Sequence, residues 1–192
     1  MAQVEAMLSN HHVHLTPENC QALFGYPELT VKKDMGSEFV ANETVTLKGP
    51  KGKIENVRVL GGKGHKHTQV ELFASDAVKL GVDAPVRDSG ELEDAAQLTI
   101  IGPAGEITEE HCAIIAARHI HMGKALMDQL GIKDHDLVSV KAGGPRGLIF
   151  NNVIIRAAGN SAYGQLHLDM EEGNAAGIKN HDMVEVIVPN MV

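Results

Sequence analysis

Two short runs of this chain have the residue types and spacing of a metal centre. His12-Val13-His14-Leu15 and His119-Ile120-His121-Met122 each place two imidazoles at i and i+2. In an extended strand such positions project from one face about 6–7 Å apart, so each pair can offer two nitrogens to a single ion. Val13, Leu15, Ile120 and Met122 would anchor the opposite face in a core. A third ligand for each pair must come from the same face of another strand. Glu71, in Thr68-Gln69-Val70-Glu71-Leu72, and His167, in Leu166-His167-Leu168, alternate with apolar neighbours as that role requires. The six residues form two sets of three. Three protein ligands leave a coordination position open, which is the arrangement of catalytic rather than structural zinc.

The remaining histidines of the eleven are less committed. His135 and His181 read as surface turn residues. His11 faces away from His12, as a supporting or surface group, and His111 has no evident partner. Positive charge gathers in Gly49-Pro50-Lys51-Gly52-Lys53, at Arg58 and in Gly61-Gly62-Lys63-Gly64-His65-Lys66-His67. These runs read either as solvated hairpin turns or as holders of a phosphate-rich ligand through backbone amides and cationic side chains.

The elements that must position these residues are short. Gly and Pro punctuate the chain, and the Val/Ile-rich runs between them alternate with period two. Strands are expected over 53–60, 68–73, 98–101, 137–141, 148–157, 165–168 and 183–188. Thr16-Pro17-Glu18 supplies an N-cap and a first-turn proline for a helix ending at Phe24, before Gly25. Similar short helices fit 75–80 and 123–130. The pattern predicts a mainly β fold of small barrels or sandwiches with helices at the corners. Internal repetition supports two similar halves. Gly131 to Val140 returns as Gly177 to Val186, Gly81-Val82-Asp83 starts a weaker copy, and each half carries one His-x-His. No low-complexity linker separates the halves, so they should pack closely or exchange strands.

Composition narrows the function. With 192 residues and 43% hydrophobic content the chain can bury a sizeable core, and no apolar run approaches the roughly 20 residues of a membrane-spanning helix. The start, MAQVEAMLSN, does not read as a secretory signal, so a cytoplasmic location is expected. A net charge of −8, no Trp, two Tyr and four Phe disfavour nucleic acid, which needs cationic surface and stacking platforms. Cys20 and Cys112 cannot build a disulfide framework and read as core thiols in a reducing compartment.

Ser9-Asn10-His11-His12-Val13-His14-Leu15, Thr68-Gln69-Val70-Glu71, Pro85-Val86-Arg87-Asp88-Ser89-Gly90, Ala117-Arg118-His119-Ile120-His121-Met122 and Asn174-Ala175-Ala176-Gly177 together resemble the PduL-type phosphate acyltransferases, the phosphate propanoyltransferases. The resemblance runs from about Leu8 to Val188. It implies two small β-barrel domains capped by short α-helices, residues 11–117 forming one and residues 1–10 with 118–192 the other. It implies two zinc ions and a reversible reaction in which acyl-CoA and phosphate give acyl phosphate and CoA, in the setting of propanediol degradation. By position, His12, His14 and Glu71 would bind one zinc, whose remaining site takes the CoA sulfur. His119, His121 and His167 would bind the other, completed by water or phosphate. Leu8, Ser9, Asn10, Lys51, Arg58 and Asn174 match positions that contact CoA, and a homodimer or larger homo-oligomer is expected. The chain departs from the family where a Pro and a phosphate-holding arginine usually precede Thr-Gln-Val-Glu, so Lys63, His65 or Lys66 would have to hold phosphate without a guanidinium fork. The start is also too short for the targeting extension of microcompartment-associated members, which favours a free enzyme. Two other readings use the same residues: a dinuclear hydrolase of thioesters or phosphoesters, and a non-catalytic metal- or CoA-binding module.

Overall fold

The computed structural model describes residues 2–36, 38–62 and 66–188. In chain order the elements are β1 (Ala2–Ser9), β2 (His12–His14), α1 (Pro17–Phe24), β3 (Val31–Asp34), β4 (Glu38–Lys48), β5 (Lys53–Gly62), β6 (Gln69–Glu71), α2 (Ala74–Leu80), β7 (Val86–Arg87), β8 (Ala96–Ile101) and β9 (Glu106–Ala116). They continue as β10 (His119–Met122), α3 (Lys124–Leu130), β11 (Leu137–Lys141), β12 (Ile149–Ala157), β13 (Gly164–Asp169), α4 (Met170–Ala176) and β14 (Met183–Ile187). The fold is mainly β, as the alternation predicts. The chain forms two compact units, residues 1–10 with 117–192 and residues 11–116.

In the first unit six strands close a barrel in the order β1-β13-β10-β12-β11-β14. Its core is the inward set of alternating residues, among them Val4, Ala6, Ile120, Met122, Val140, Val153, Ile155, Leu166 and Val186. In the second unit β8 bonds to both β4 and β9, so the path β4-β5-β2-β6-β9-β8 returns to its start. Val13, Val45, Leu47, Val57, Val59, Val70, Leu98 and Ile100 fill that ring, while β3 and β7 extend the sheet beyond it.

The two rings repeat one another strand for strand. β2 lies between a parallel β5 and an antiparallel β6, and β10 lies in the same way between β12 and β13. β9 runs parallel to β6 as β1 runs parallel to β13. Leaving aside β3 and β7, the chain order of each repeat is therefore β-β-α-β-β-β-α-β, but β1 belongs to the unit of the second repeat and β9 to that of the first. Each repeat lends its leading strand to the other unit.

Local chemistry explains where the elements start and stop. The Thr16 hydroxyl accepts from Asn19 N–H at the start of α1, and Gly25, Gly81, Gly131 and Gly177 end the four helices in the left-handed region, where a Cβ would be strained. His135 and His181 sit in matching exposed turns at φ 64° and 74°, so the sequence repeat at 131 and 177 is a repeated helix–turn–strand unit inside one barrel. The sequence pattern did not mark β1, β3, β4, β7, β9 or α4. In β4 the inward positions include Glu43, which breaks the apolar alternation but is bonded by Thr30 N–H, Thr30 Oγ1 and Tyr26 Oη. Among the described residues, no helix is long and apolar enough to cross a membrane.

Candidate functional site

The register of β2 and β6 sets His12 opposite Glu71 and His14 opposite Gln69. His12 and His14 share a face of β2, and both are buried. Their Nε2 atoms stand 3.1 Å apart, and His12 Nε2 is 3.4 Å from Glu71 Oε2. The imidazole planes meet edge to face. Tetrahedral zinc with bonds of about 2.0 Å has donor–donor edges of about 3.3 Å. The spacing of these side chains therefore fits such an ion.

The barrel of the other unit reproduces this constellation. β10 and β13 set His119 opposite His167, so Glu71 and His167 occupy the same place in the two repeats. Ring centroids of His119, His121 and His167 lie 4.8–5.0 Å apart. In each set one ligand atom from every member lies within 4.8 Å of the others. His119 Nδ1–H donates to the Ala117 carbonyl at 3.0 Å, which leaves Nε2 as the lone-pair nitrogen. Burial, reinforced by the charges of His119, His121 and Arg156, lowers the pKa of His167 to about 3. Its imidazole is thus neutral near pH 7, the state in which it can bind a metal.

Several neighbours were not evident from the sequence. Arg156 lies opposite His121 in the β10–β12 register, and its Nη1 is 3.4 Å from His119 Nε2. This guanidinium beside the three histidines had no motif to mark it, because the matching place in the other repeat is Leu60. Arg118 pairs with Glu172 at 2.9 Å and lies over the Phe150 ring. Burial raises the pKa of Glu172 and of Asp169, the two members of the capping box that starts α4. His11 bonds Asp76 at 2.8 Å and its ring lies tilted against that of Phe73, so it supports the start of α2.

The residues singled out for CoA fall in both units. In the first, Leu8 and Ser9 end β1 and Asn10 follows. Leu8 N–H donates to Asn180 Oδ1 at 2.6 Å, and the Leu8 side chain covers Gly173, the residue before the exposed Asn174. In the second, Arg58 stands opposite His12 on β5, while the exposed Lys51 lies in the β4–β5 turn with its stem against Gly81. Of the three residues singled out for phosphate, Lys66 is exposed, and Lys63 and His65 lie outside the described residues.

The fold and the site define a mainly β protein with two candidate metal centres of the open, three-ligand kind. The family model for phosphate propanoyltransferase matches residues 5–179. The chain belongs to this family of acyltransferase enzymes. It is 46% identical over 187 residues to the phosphate propanoyltransferase of Rhodopseudomonas palustris, covering 96% of this chain and 82% of that protein. It is 47% identical over 184 residues to that of Thermotoga maritima, covering 94% and 87%. For the Rhodobacter capsulatus protein the identity is 46% over 188 residues, covering 96% and 86%.

Proposed function

We propose that the chain is a zinc-dependent phosphate acyltransferase that moves a propanoyl or other short acyl group reversibly between coenzyme A and phosphate. The observation that carries this reading is the pair of matched three-ligand sets, of which His12, His14 and Glu71 are spaced like donors around a tetrahedral ion. His12, His14 and Glu71 would hold one zinc, and His119, His121 and His167 the other. Bound zinc supplies Lewis acidity, which favours a thiolate over a thiol and offsets charge on an oxygen.

The residues divide the work by charge. Glu71 contributes a negative charge to its set, whereas the three histidines of the other set are neutral ligands and leave the ion's full charge for an anion. Arg156 adds a guanidinium beside His119, which supports the reading the resemblance implies, with phosphate at the three-histidine set and the CoA sulfur at the Glu71 set. Lys51, Arg58 and Asn174, with Leu8 to Asn10, would hold the rest of CoA; Lys63, His65 and Lys66 would steer phosphate. Attack of phosphate oxygen on the thioester carbonyl expels the CoA thiolate and needs no covalent enzyme intermediate. The buried thiols Cys20 and Cys112 fit a reducing, cytoplasmic setting, and a homodimer or larger assembly is proposed with it.

The test uses propanoyl-CoA with and without phosphate, following free thiol and acyl phosphate together. Thiol release that requires phosphate and matches acyl phosphate formation is the expected result. Phosphate-independent release would make the chain a hydrolase, and no release a binding module. In parallel, metal content by mass spectrometry should fall from about two ions per chain to about one in His12→Ala and in His119→Ala.

A further inference from the structure

We propose that Gln69 is a positioning residue for Glu71, holding one carboxylate oxygen so that only the other is offered to an ion. The inference rests on the reading of His12, His14 and Glu71 as a metal set. Gln69 lies on β6 two residues before Glu71 and is itself buried. The Gly90 N–H donates to its Oε1 at 2.8 Å, and because a backbone N–H can only donate, this contact decides which end of the amide is oxygen. The amide nitrogen then faces Glu71 Oε1 at 2.8 Å and Ser89 Oγ at 2.7 Å. Both amide hydrogens and the amide oxygen are used.

The consequence falls on Glu71. Its Oε1 accepts the Gln69 amide, while Oε2 is the oxygen that stands 3.4 Å from His12 Nε2. A carboxylate with both oxygens free can bind through both, which would fill a position that an open three-ligand site keeps for substrate. Gln69 prevents this and also ties the Ser89–Gly90 turn to the same carboxylate. Gly90, at φ 98°, suits the conformation that aims its N–H at Gln69. The same offset recurs in the other repeat, where Gln165 Oε1 lies 3.0 Å from His167 Nε2, again two residues before the third ligand. In both repeats a glutamine at this place occupies an atom of the third ligand.

The experiment is cobalt(II) titration of the full chain in a His119→Ala background, which leaves the Glu71 set to load. Gln69 is compared with Gln69→Met, which keeps the length but has no hydrogen bonds. Four-coordinate cobalt(II) absorbs visible light more strongly than higher-coordinate cobalt(II). The parent should show the strong band, and Gln69→Met a weaker one as Oε1 joins the shell, with zinc affinity by chelator competition altered 10- to 100-fold. Equal spectra and zinc affinities within twofold would overturn the role of Gln69. No cobalt uptake by the parent would instead overturn the metal reading on which it rests. Should Gln69→Met not fold, Gln69→Asn, which keeps the amide but is one methylene too short to reach, decides by the same comparison.

Discussion

His167 and Glu71 stand at one position of a repeated strand register, yet one is neutral and the other anionic. On the proposed function, that single difference is what would let two otherwise matched sets favour different partners. Burial at His167 has a measurable cost in the metal-free chain. The unfolded imidazole takes a proton below about pH 6.5, whereas the native one resists it down to about 3. Between those values the unfolded state binds more protons, so native stability falls as pH falls, and the effect of this group fades as pH rises past 6.5. At about 1.4 kcal/mol per unit, the loss from pH 6.5 to 5 should be about 2 kcal/mol. Urea unfolding with a chelator present should show that slope, and His167→Gln should lack it. An equal slope in the variant would mean that other groups carry the acid sensitivity.

The helices are held as much by close approach as by propensity. α4 has a capping box, with the Asp169 carboxylate accepting from Glu172 N–H at 2.7 Å, but no apolar stripe, and a glycine in its body. A Cβ on Gly173 would meet the Leu8 side chain at 2.5 Å, so the glycine allows β1 to seat against the helix. This is why helical periodicity did not reveal α4. Gly123, the N-cap of α3 directly after His121 and Met122, is tighter still, since a Cβ there would lie 2.0 Å from the Ser161 carbonyl oxygen. Backbone must then move, and Gly123→Ala should cost about 2 kcal/mol or more in urea unfolding. Gly143→Ala, where a Cβ meets nothing within 4 Å, should change stability by less than about 0.5 kcal/mol. Similar values for both would show that the close approach at Gly123 is relieved without strain.

For the whole molecule the decisive feature is the exchange of leading strands. β1 supplies Val4 and Ala6 to the barrel that carries His119, His121 and His167, and it pairs there with both β13 and β14. Removing residues 2–9 should open that barrel between β13 and β14, although the deleted segment is far from it in sequence. Hydrogen exchange should then speed up across β10 and β13, with loss of the metal assigned to the three-histidine set. Unchanged protection of β10 and β13 would mean that the barrel stands without its borrowed strand.

The chemistry of this chain was largely local and therefore legible. His-x-His in an alternating strand places two imidazoles on one face whatever the rest of the molecule does, and Glu71 and His167 alternate with core residues for the same reason. Thr16 and Gly25 bounded α1 because caps act over a few residues. Among the missed elements, β4 and α4 depended on partners elsewhere. β4 carries Glu43 inward because Thr30 and Tyr26 satisfy it, and α4 needs Leu8 on its glycine. Only the tertiary structure set His12 opposite Glu71 and His119 opposite His167, brought Arg156 beside the histidines and aimed Gln69 at one oxygen of Glu71. Sequence dictates which face of a strand a residue takes; strand register across long connections, set by the packing of a whole barrel, dictates what it meets there.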